Sequence, residues 1–305
     1  MSEHITHIAV YDDAATLIGY SERFSEAFKE SIKREYDCGW ITSGSNGNHL
    51  WALPLLEECR KKWKDGIRDK ETFQKIAAAI GWITHRAADL IQKPLEAILV
   101  AEGNSEFNGQ ELSAYFDTIA FREVFKSGNY SPNQLQPISR ATLEHEMASH
   151  PAASLLDVAN LENSFSHFML GELLDSQEFT KNEKDLDKWF DQFMGSKQKF
   201  SEDLDMYING FTNPDAGKTQ KYITNFRYFN GNDSLLRLVQ SIKSGKPDIS
   251  IKPDVAVAAA ANQSQYSKMV ANAYTMLSFA DDFFNEKISK AELYEVLNME
   301  HQFRN

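Results

Sequence analysis

The sequence lacks the features that usually mark secreted or membrane-spanning proteins. Only two cysteines, Cys38 and Cys59, occur among its 305 residues, too few for a disulfide framework. No segment approaches the roughly 20 consecutive apolar residues needed to cross a bilayer. The N-terminal segment has neither the basic flank nor the apolar core of a signal peptide. We therefore expect two free thiols and a cytoplasmic location.

Positive charge is also scarce. Lysine and arginine total 32 residues against 44 aspartates and glutamates, which gives a net charge of -12. A surface this acidic repels the phosphate backbone of nucleic acids and anionic lipid headgroups, although a local basic groove can override the average. A long nucleic acid is therefore a poor candidate partner, and part of the acidity serves solubility alone.

Strand-forming patterns are nearly absent. The best candidate, ISIKPDVAV at 249–257, contains Pro253, and proline is excluded from central strands. Elsewhere, apolar residues recur every three or four positions, which is typical of amphipathic helices. The sequence predicts an all-α, multi-helix bundle. We expect a helical region carrying the functional site at 1–180 and a C-terminal helical region at 181–305, packed together as one unit.

Three adjacent segments matter most for function. The segment from Asp37 to Asn48 is rich in glycine, serine and asparagine, a composition that predicts a loop. Helical spacing returns from His49 to about Trp63. A long helix then begins near Thr72, and we expect it to end near Pro94, because proline breaks the helical hydrogen-bond pattern.

This long helix carries a polar pair on an apolar background. His85 and Asp89 are four residues apart and so face the same way, and Ala78, Trp82 and Ala88 surround them. The opposite side is an apolar stripe, formed by Phe73, Ile76, Ile80, Ile83, Ala87 and Ile91. A helix that is apolar all round is usually buried, and a buried histidine and aspartate need partners. They can bond to each other, to other side chains or to a metal ion.

Other potential ligands lie in the same third of the chain. His7 is near the N-terminus, and Asp37 and His49 stand at the two ends of the predicted loop. Neutral imidazoles combined with carboxylates favour zinc, manganese or iron, whereas calcium prefers oxygen ligands alone.

The order of these residues resembles the zinc-dependent phospholipase C / P1-type nuclease family. Thr6-His7 comes first, Asp37 and His49 follow, and GWITHRAAD at 81–89 resembles the helix motif Gly-Tyr/Phe-x-x-His-x-x-x-Asp of that family. The similarity covers about residues 5–96. It implies an all-helical fold around a zinc cluster and hydrolysis of phosphoric esters.

The resemblance also implies a ligand set and a substrate class. Asp37, His49 and His85 would hold one zinc ion, and Asp89 would be shared with a second ion that His7 also binds. Asp37 and Asp89 would then be the catalytic carboxylates, with one to three zinc ions in total. The substrate would be a small phosphoester, a nucleotide or a phospholipid headgroup. The segment 39–48 with Trp40 would form the rim of the site, unless Trp40 simply plugs the core.

The sequence also departs from the family pattern. Lys93 and Glu96 stand where the family usually has a further histidine. Glu96 could ligate a metal, whereas a protonated lysine cannot. The candidates for the family's later histidine and acid are either His145, or His167 followed by Glu172. A second hypothesis therefore stays open, namely a non-catalytic helical protein with an incomplete or structural metal site.

Overall fold

The computed structural model describes residues 4–44, 49–101, 109–124 and 213–298. No strand occurs in these ranges, and most of their residues are helical. The predicted all-α, multi-helix architecture is therefore confirmed. None of the described helices is both long and apolar enough to cross a membrane.

Eleven α-helices lie within the described ranges. They are α1 (His4–Tyr20), α2 (Glu26–Arg34), α3 (Tyr36–Ser43), α4 (Ala52–Lys64), α5 (Lys70–Ala101), α6 (Gly109–Val124), α7 (Ala216–Thr219), α8 (Ser234–Lys243), α9 (Pro253–Ala259), α10 (Gln265–Phe284) and α11 (Lys290–Asn298). Short 3-10 turns at His49–Trp51 and Ala260–Asn262 precede α4 and α10, and a π-helical turn at Gln220–Thr224 follows α7.

Residues 1–134 and 217–305 belong to one compact unit. Within it, α10 packs against both α1 and α5, so helices from the two ends of the chain share a core. The predicted boundary between 180 and 181 lies outside the described residues.

Helix α5 is the centre of this core and packs against α1, α2, α3, α4 and α10. Residues 76–80 have no solvent-exposed surface, as expected for a helix that is apolar all round. Asp69 accepts a hydrogen bond from the backbone N–H of Thr72 at 2.8 Å, which satisfies one of the free donors at the helix start.

The predicted end of this helix at Pro94 is wrong, because α5 continues through the proline to Ala101. Proline removes one backbone hydrogen bond, to the carbonyl of Leu90, but does not oblige the chain to turn. Leu95 is buried immediately after it. Burial of Leu95 therefore continues the packed face of α5 past the proline.

The predicted loop at 37–48 is also wrong for its first half, where the chain forms α3. Gly39 in this segment lies within a helix and permits close packing instead of forming a turn. A Cβ atom on Gly81 would overlap the carbonyl of Gly39 and the hydroxyl of Thr42, so α3 and α5 can approach this closely only because Gly81 lacks a side chain. A Cβ atom on Gly39 would instead overlap the Tyr11 ring of α1. The Thr42 hydroxyl also donates to the Ala78 carbonyl at 2.9 Å. This close crossing brings the end of α3 against α5 near His85.

The prediction of helix from His49 to about Trp63 is confirmed by the turn at His49–Trp51 and α4. The Trp51 and Trp82 rings meet edge to face with centroids 5.4 Å apart. This contact fixes the start of α4, and His49 with it, beside α5.

Candidate metal centre

Three of the predicted ligands come together where α1 crosses α5. His7, His85 and Asp89 each offer one ligand atom, and these atoms all lie within 4.8 Å of one another. The three residues are 0%, 7% and 7% exposed, respectively. His7 on α1 lies 78 and 82 positions from His85 and Asp89 on α5, and the three side chains form one buried polar cluster.

Both histidines face the same carboxylate. His7 Nε2 lies 3.3 Å from Asp89 Oδ1, and His85 Nε2 lies 3.7 Å from Asp89 Oδ2. The two imidazole rings stack with centroids 4.1 Å apart and planes inclined by 19°. The two ring nitrogens and the carboxylate therefore converge on a common region.

The end of α3 orients His85. Its Nδ1 lies 2.8 Å from the Ser43 carbonyl oxygen. A carbonyl can only accept a hydrogen bond, so this contact assigns a proton to Nδ1; in the neutral imidazole the lone pair is then on Nε2, the nitrogen that faces Asp89. Metal-binding histidines usually have their second nitrogen fixed by such a contact.

Asp89 is ionised despite its burial. Burial by itself raises the pKa of this carboxyl group, but the hydrogen bond with His7 and the proximity of His85 and Lys93 bring the pKa below its ordinary value. Lys93, one turn further along α5, forms an ion pair with Asp89 Oδ2. The cluster thus holds a fixed negative charge.

His49 lies outside the group of three but close enough for Asp89 to influence its pKa. Burial, and then the positive charge of Arg86, lower the pKa of His49 to about 4, so its imidazole is neutral near pH 7. Its Nε2 is buried, and none of the described residues forms a hydrogen bond with it. The prediction that His49 binds the same ion as His85 stays a prediction.

Asp37 is not brought to the other predicted ligands. It is exposed in the first turn of α3 and lies outside the group of three. The predicted loop would have allowed it to fold inward, but the helix directs Gly39 and Trp40 into the core and Asp37 outward. Trp40 is only 5% exposed, which matches a plug over the core and corrects its predicted place on an exposed rim.

Among the described residues, Glu96 is not part of the group of three. Glu96 is half-buried on α5, nearly two turns beyond Asp89. His145, His167 and Glu172 lie outside the described residues. Two contacts of the cluster were missed from the sequence, those of Ser43 and Lys93. The four-residue spacing of Asp89 and Lys93 indicates the Lys93 contact. No local sequence pattern indicates the Ser43 contact.

No protein-family model matches the chain, and no curated protein or solved structure matches it significantly. The resemblance of residues 5–96 to the zinc-dependent phospholipase C / P1-type nuclease family therefore stays a prediction that rests on the motif residues.

Proposed function

We propose that this chain is a metal-dependent phosphoric-ester hydrolase that binds a zinc ion through His7, His85 and Asp89. The observation that carries the proposal is the convergence of two imidazole nitrogens and a carboxylate within 4.8 Å in the protein interior. Two histidines and one carboxylate are the three protein ligands of several hydrolytic zinc sites, which leave a further position for water or substrate.

The distances between the imidazole nitrogens and Asp89 are compatible with shared metal ligands. Atoms bonded tetrahedrally to one zinc ion at about 2.0–2.1 Å lie roughly 3.3 Å apart. The separations of 3.3 Å and 3.7 Å from the imidazoles to Asp89 are close to this value. At 3.7 Å, His85 Nε2 is too far from Asp89 for a hydrogen bond between those two atoms.

The chemistry divides between the ion and the chain. When bound, a zinc ion supplies a water of lowered pKa and a Lewis acid for the phosphoryl oxygens. His7 and His85 supply neutral nitrogen donors, and the Ser43 carbonyl holds the His85 ring in place. Asp89 supplies the negative charge that attracts a cation. The net charge of -12 disfavours long polyanions, so the substrate class we propose is a small phosphodiester or phosphomonoester.

A second function is favoured by one observation. All three ligand side chains are more than nine-tenths buried, and catalytic zinc needs access for substrate. In this reading the ion only stabilises the crossing of α1 and α5, and the protein is not a hydrolase.

Reconstitution with zinc tests the proposal. The full chain is stripped with a chelator, and hydrolysis of bis(p-nitrophenyl) phosphate is measured before and after zinc is restored. We expect turnover only with zinc, and its loss in His85→Ala but not in Asp13→Asn, a matched change at a buried acid of another cluster. A chain that binds zinc at His85 without hydrolysing diesters, monoesters or phospholipids supports the structural role. A chain that binds no zinc rules out both functions.

A further inference from the structure

Lys93 contacts the same carboxylate oxygen that faces His85. Its Nζ forms an ion pair with Asp89 Oδ2, the oxygen 3.7 Å from His85 Nε2. The Lys93 side chain is 62% exposed, whereas that of Asp89 is 9% exposed. The ammonium group therefore reaches inward from solvent to a buried acceptor at the centre of the candidate site.

A metal ion bound by Asp89 would share this carboxylate group with the Lys93 ammonium. Two cations next to the same carboxylate repel each other, and that repulsion is strong where the surroundings are partly buried. Lysine has a flexible four-carbon stem, and most of this side chain packs against nothing. The ammonium can therefore leave Asp89 without disturbing the core, whereas His7 and His85 are held in place by packing.

The other basic group near the site is less free to move. Arg86 and Lys93 both lower the pKa of His49, so both place positive charge beside the cluster. Arg86 Nε donates to the Leu297 carbonyl at 3.2 Å, which ties its guanidinium to α11. Lys93 is thus the mobile cation at this site, in a chain that is strongly acidic overall.

We propose that Lys93 is the anion-binding residue of the site, pairing with Asp89 when no metal is bound and with the phosphoryl group of the substrate once a divalent ion occupies His7, His85 and Asp89. This inference rests on the proposed function and specifies how the substrate is recognised. A phosphoryl oxygen at the open position of the ion would place negative charge within reach of the displaced ammonium. Glu96, one turn beyond Lys93, is the alternative acceptor for that ammonium.

The inference predicts two effects of opposite sign. Removing the ammonium removes a cation that competes with zinc, so zinc should bind more tightly. The same change removes the partner of the phosphate, so phosphate should bind more weakly. A lysine that only stabilises α5 would change neither zinc affinity nor phosphate affinity in this way.

The experiment measures zinc and inorganic phosphate binding together. Zinc affinity of the full chain is determined by competition with a chromophoric chelator, with and without inorganic phosphate, for wild type, Lys93→Met and Lys93→Arg. Lys33→Met is the matched control. Like Lys93, Lys33 is an exposed lysine that pairs with an acidic residue on its own helix, in this case Glu30. Thermal unfolding of the metal-free variants checks that each one folds.

We expect phosphate to increase the zinc affinity of wild type and of the control, since binding of the two ligands is reciprocal. In Lys93→Met, zinc affinity without phosphate should rise about threefold or more, and the phosphate effect should fall at least tenfold. Lys93→Arg should retain the phosphate effect.

Several results would overturn the inference. One is an unchanged or weaker zinc affinity in Lys93→Met. Another is a phosphate effect that survives this change, which would leave Glu96 as the partner of the displaced ammonium. If wild type binds zinc normally but phosphate has no effect on it, the inference about Lys93 fails while the metal site stands. If wild type binds no zinc, the proposed function fails as well.

Discussion

Two clusters of charged residues contact helix α1, and they differ in the groups that pair with their carboxylates. In the first, Asp12 and Asp13 share the ammonium group of Lys243, while Tyr36 donates to Asp12 at 2.6 Å and Tyr266 donates to Asp13 at 3.0 Å. Each carboxylate oxygen in this cluster has its own donor. In the second cluster, which contains His7, His85 and Asp89, two imidazoles converge on one carboxylate.

The pKa values of Asp13 in the first cluster and Asp89 in the second also differ. Burial raises the pKa of Asp13 above its ordinary value, and Lys243 and Tyr266 only reduce that increase. Burial also acts on Asp89, yet His7, His85 and Lys93 together bring its pKa below the ordinary value. Each cluster contains a lysine, but Lys243 bonds to both carboxylates of the first, whereas Lys93 pairs with only one oxygen of Asp89. The second is a group of ligand atoms around an anionic carboxylate, and that is the arrangement a divalent ion requires.

Removal of Lys243 should have the largest effect on stability and none on zinc binding. Lys243→Met leaves two neighbouring carboxylates, one of them buried, without their cation, so we expect the free energy of unfolding to fall by about 3 kcal/mol. Urea denaturation measures this change. Lys33→Met, which breaks an exposed pair, should cost at most about 0.5 kcal/mol. Equal effects of the two substitutions would remove the contrast between a buried and an exposed pair.

The glycine crossing of α3 and α5 should matter for both stability and zinc binding. Gly81→Ala forces α3 away from α5, because the new Cβ atom would overlap Gly39 and Thr42, and we expect a loss of about 1–3 kcal/mol. The Ser43 carbonyl would then move off His85, so zinc affinity should fall too.

Gly19 offers a matched control for this change. It lies in α1, and a Cβ atom there would meet nothing within 4 Å, so Gly19→Ala should leave zinc affinity unchanged and stabilise the helix by up to about 1 kcal/mol. Thermal unfolding and zinc titration of the two variants separate the close crossing from helix propensity. A Gly81→Ala protein as stable as wild type would show that the crossing is not tight.

The smallest expected effect concerns His49. Its pKa is lowered to about 4 in the folded protein from an ordinary 6.5, so the unfolded state binds the proton more readily between these values. Stability conferred by neutral His49 is therefore present above pH 6.5 and is lost as the pH falls towards 4. After allowance for solvent screening, wild type should lose about 1–2 kcal/mol more than His49→Gln across this window.

Urea denaturation at pH 6.5, 5.5 and 4.5 measures this difference. The pKa of Asp89 is lowered, so its own contribution is lost only below this window and does not disturb the comparison. Identical pH profiles for wild type and His49→Gln would contradict the burial of this imidazole.

The sequence predicts the helical fold and the central pair of the site, since both depend on local periodicity. His85 and Asp89 share a face because of their four-residue spacing, and the apolar residues around them correctly predict burial. The predicted cluster of five ligands depends on contacts between helices, and the structure brings only part of it together. Only His7 joins this pair in the group of three.

The rest depends on how helices pack, which local patterns do not encode. Gly39 lies in a glycine- and serine-rich segment of the kind that forms turns. In the structure its carbonyl group lies against Gly81, 42 residues away. Asp37 points outward because its segment is helical. The pairing of Asp13 with Lys243 spans 230 residues. Pro94 likewise lies inside α5, although the sequence pattern alone predicts that a proline ends the helix.

Zinc content compared between the two clusters tests the central claim most directly. The full chain is stripped of metal, equilibrated with zinc and desalted, and zinc per chain is measured by atomic emission for wild type, Asp89→Asn and Asp13→Asn. Melting temperatures with and without zinc are recorded in parallel, because an ion that binds only the folded state raises the melting temperature. We predict that wild type and Asp13→Asn retain zinc and are stabilised by it, whereas Asp89→Asn loses both. Equal zinc retention by Asp89→Asn and wild type, or no retention by wild type, would contradict the assignment of His7, His85 and Asp89 as a metal site.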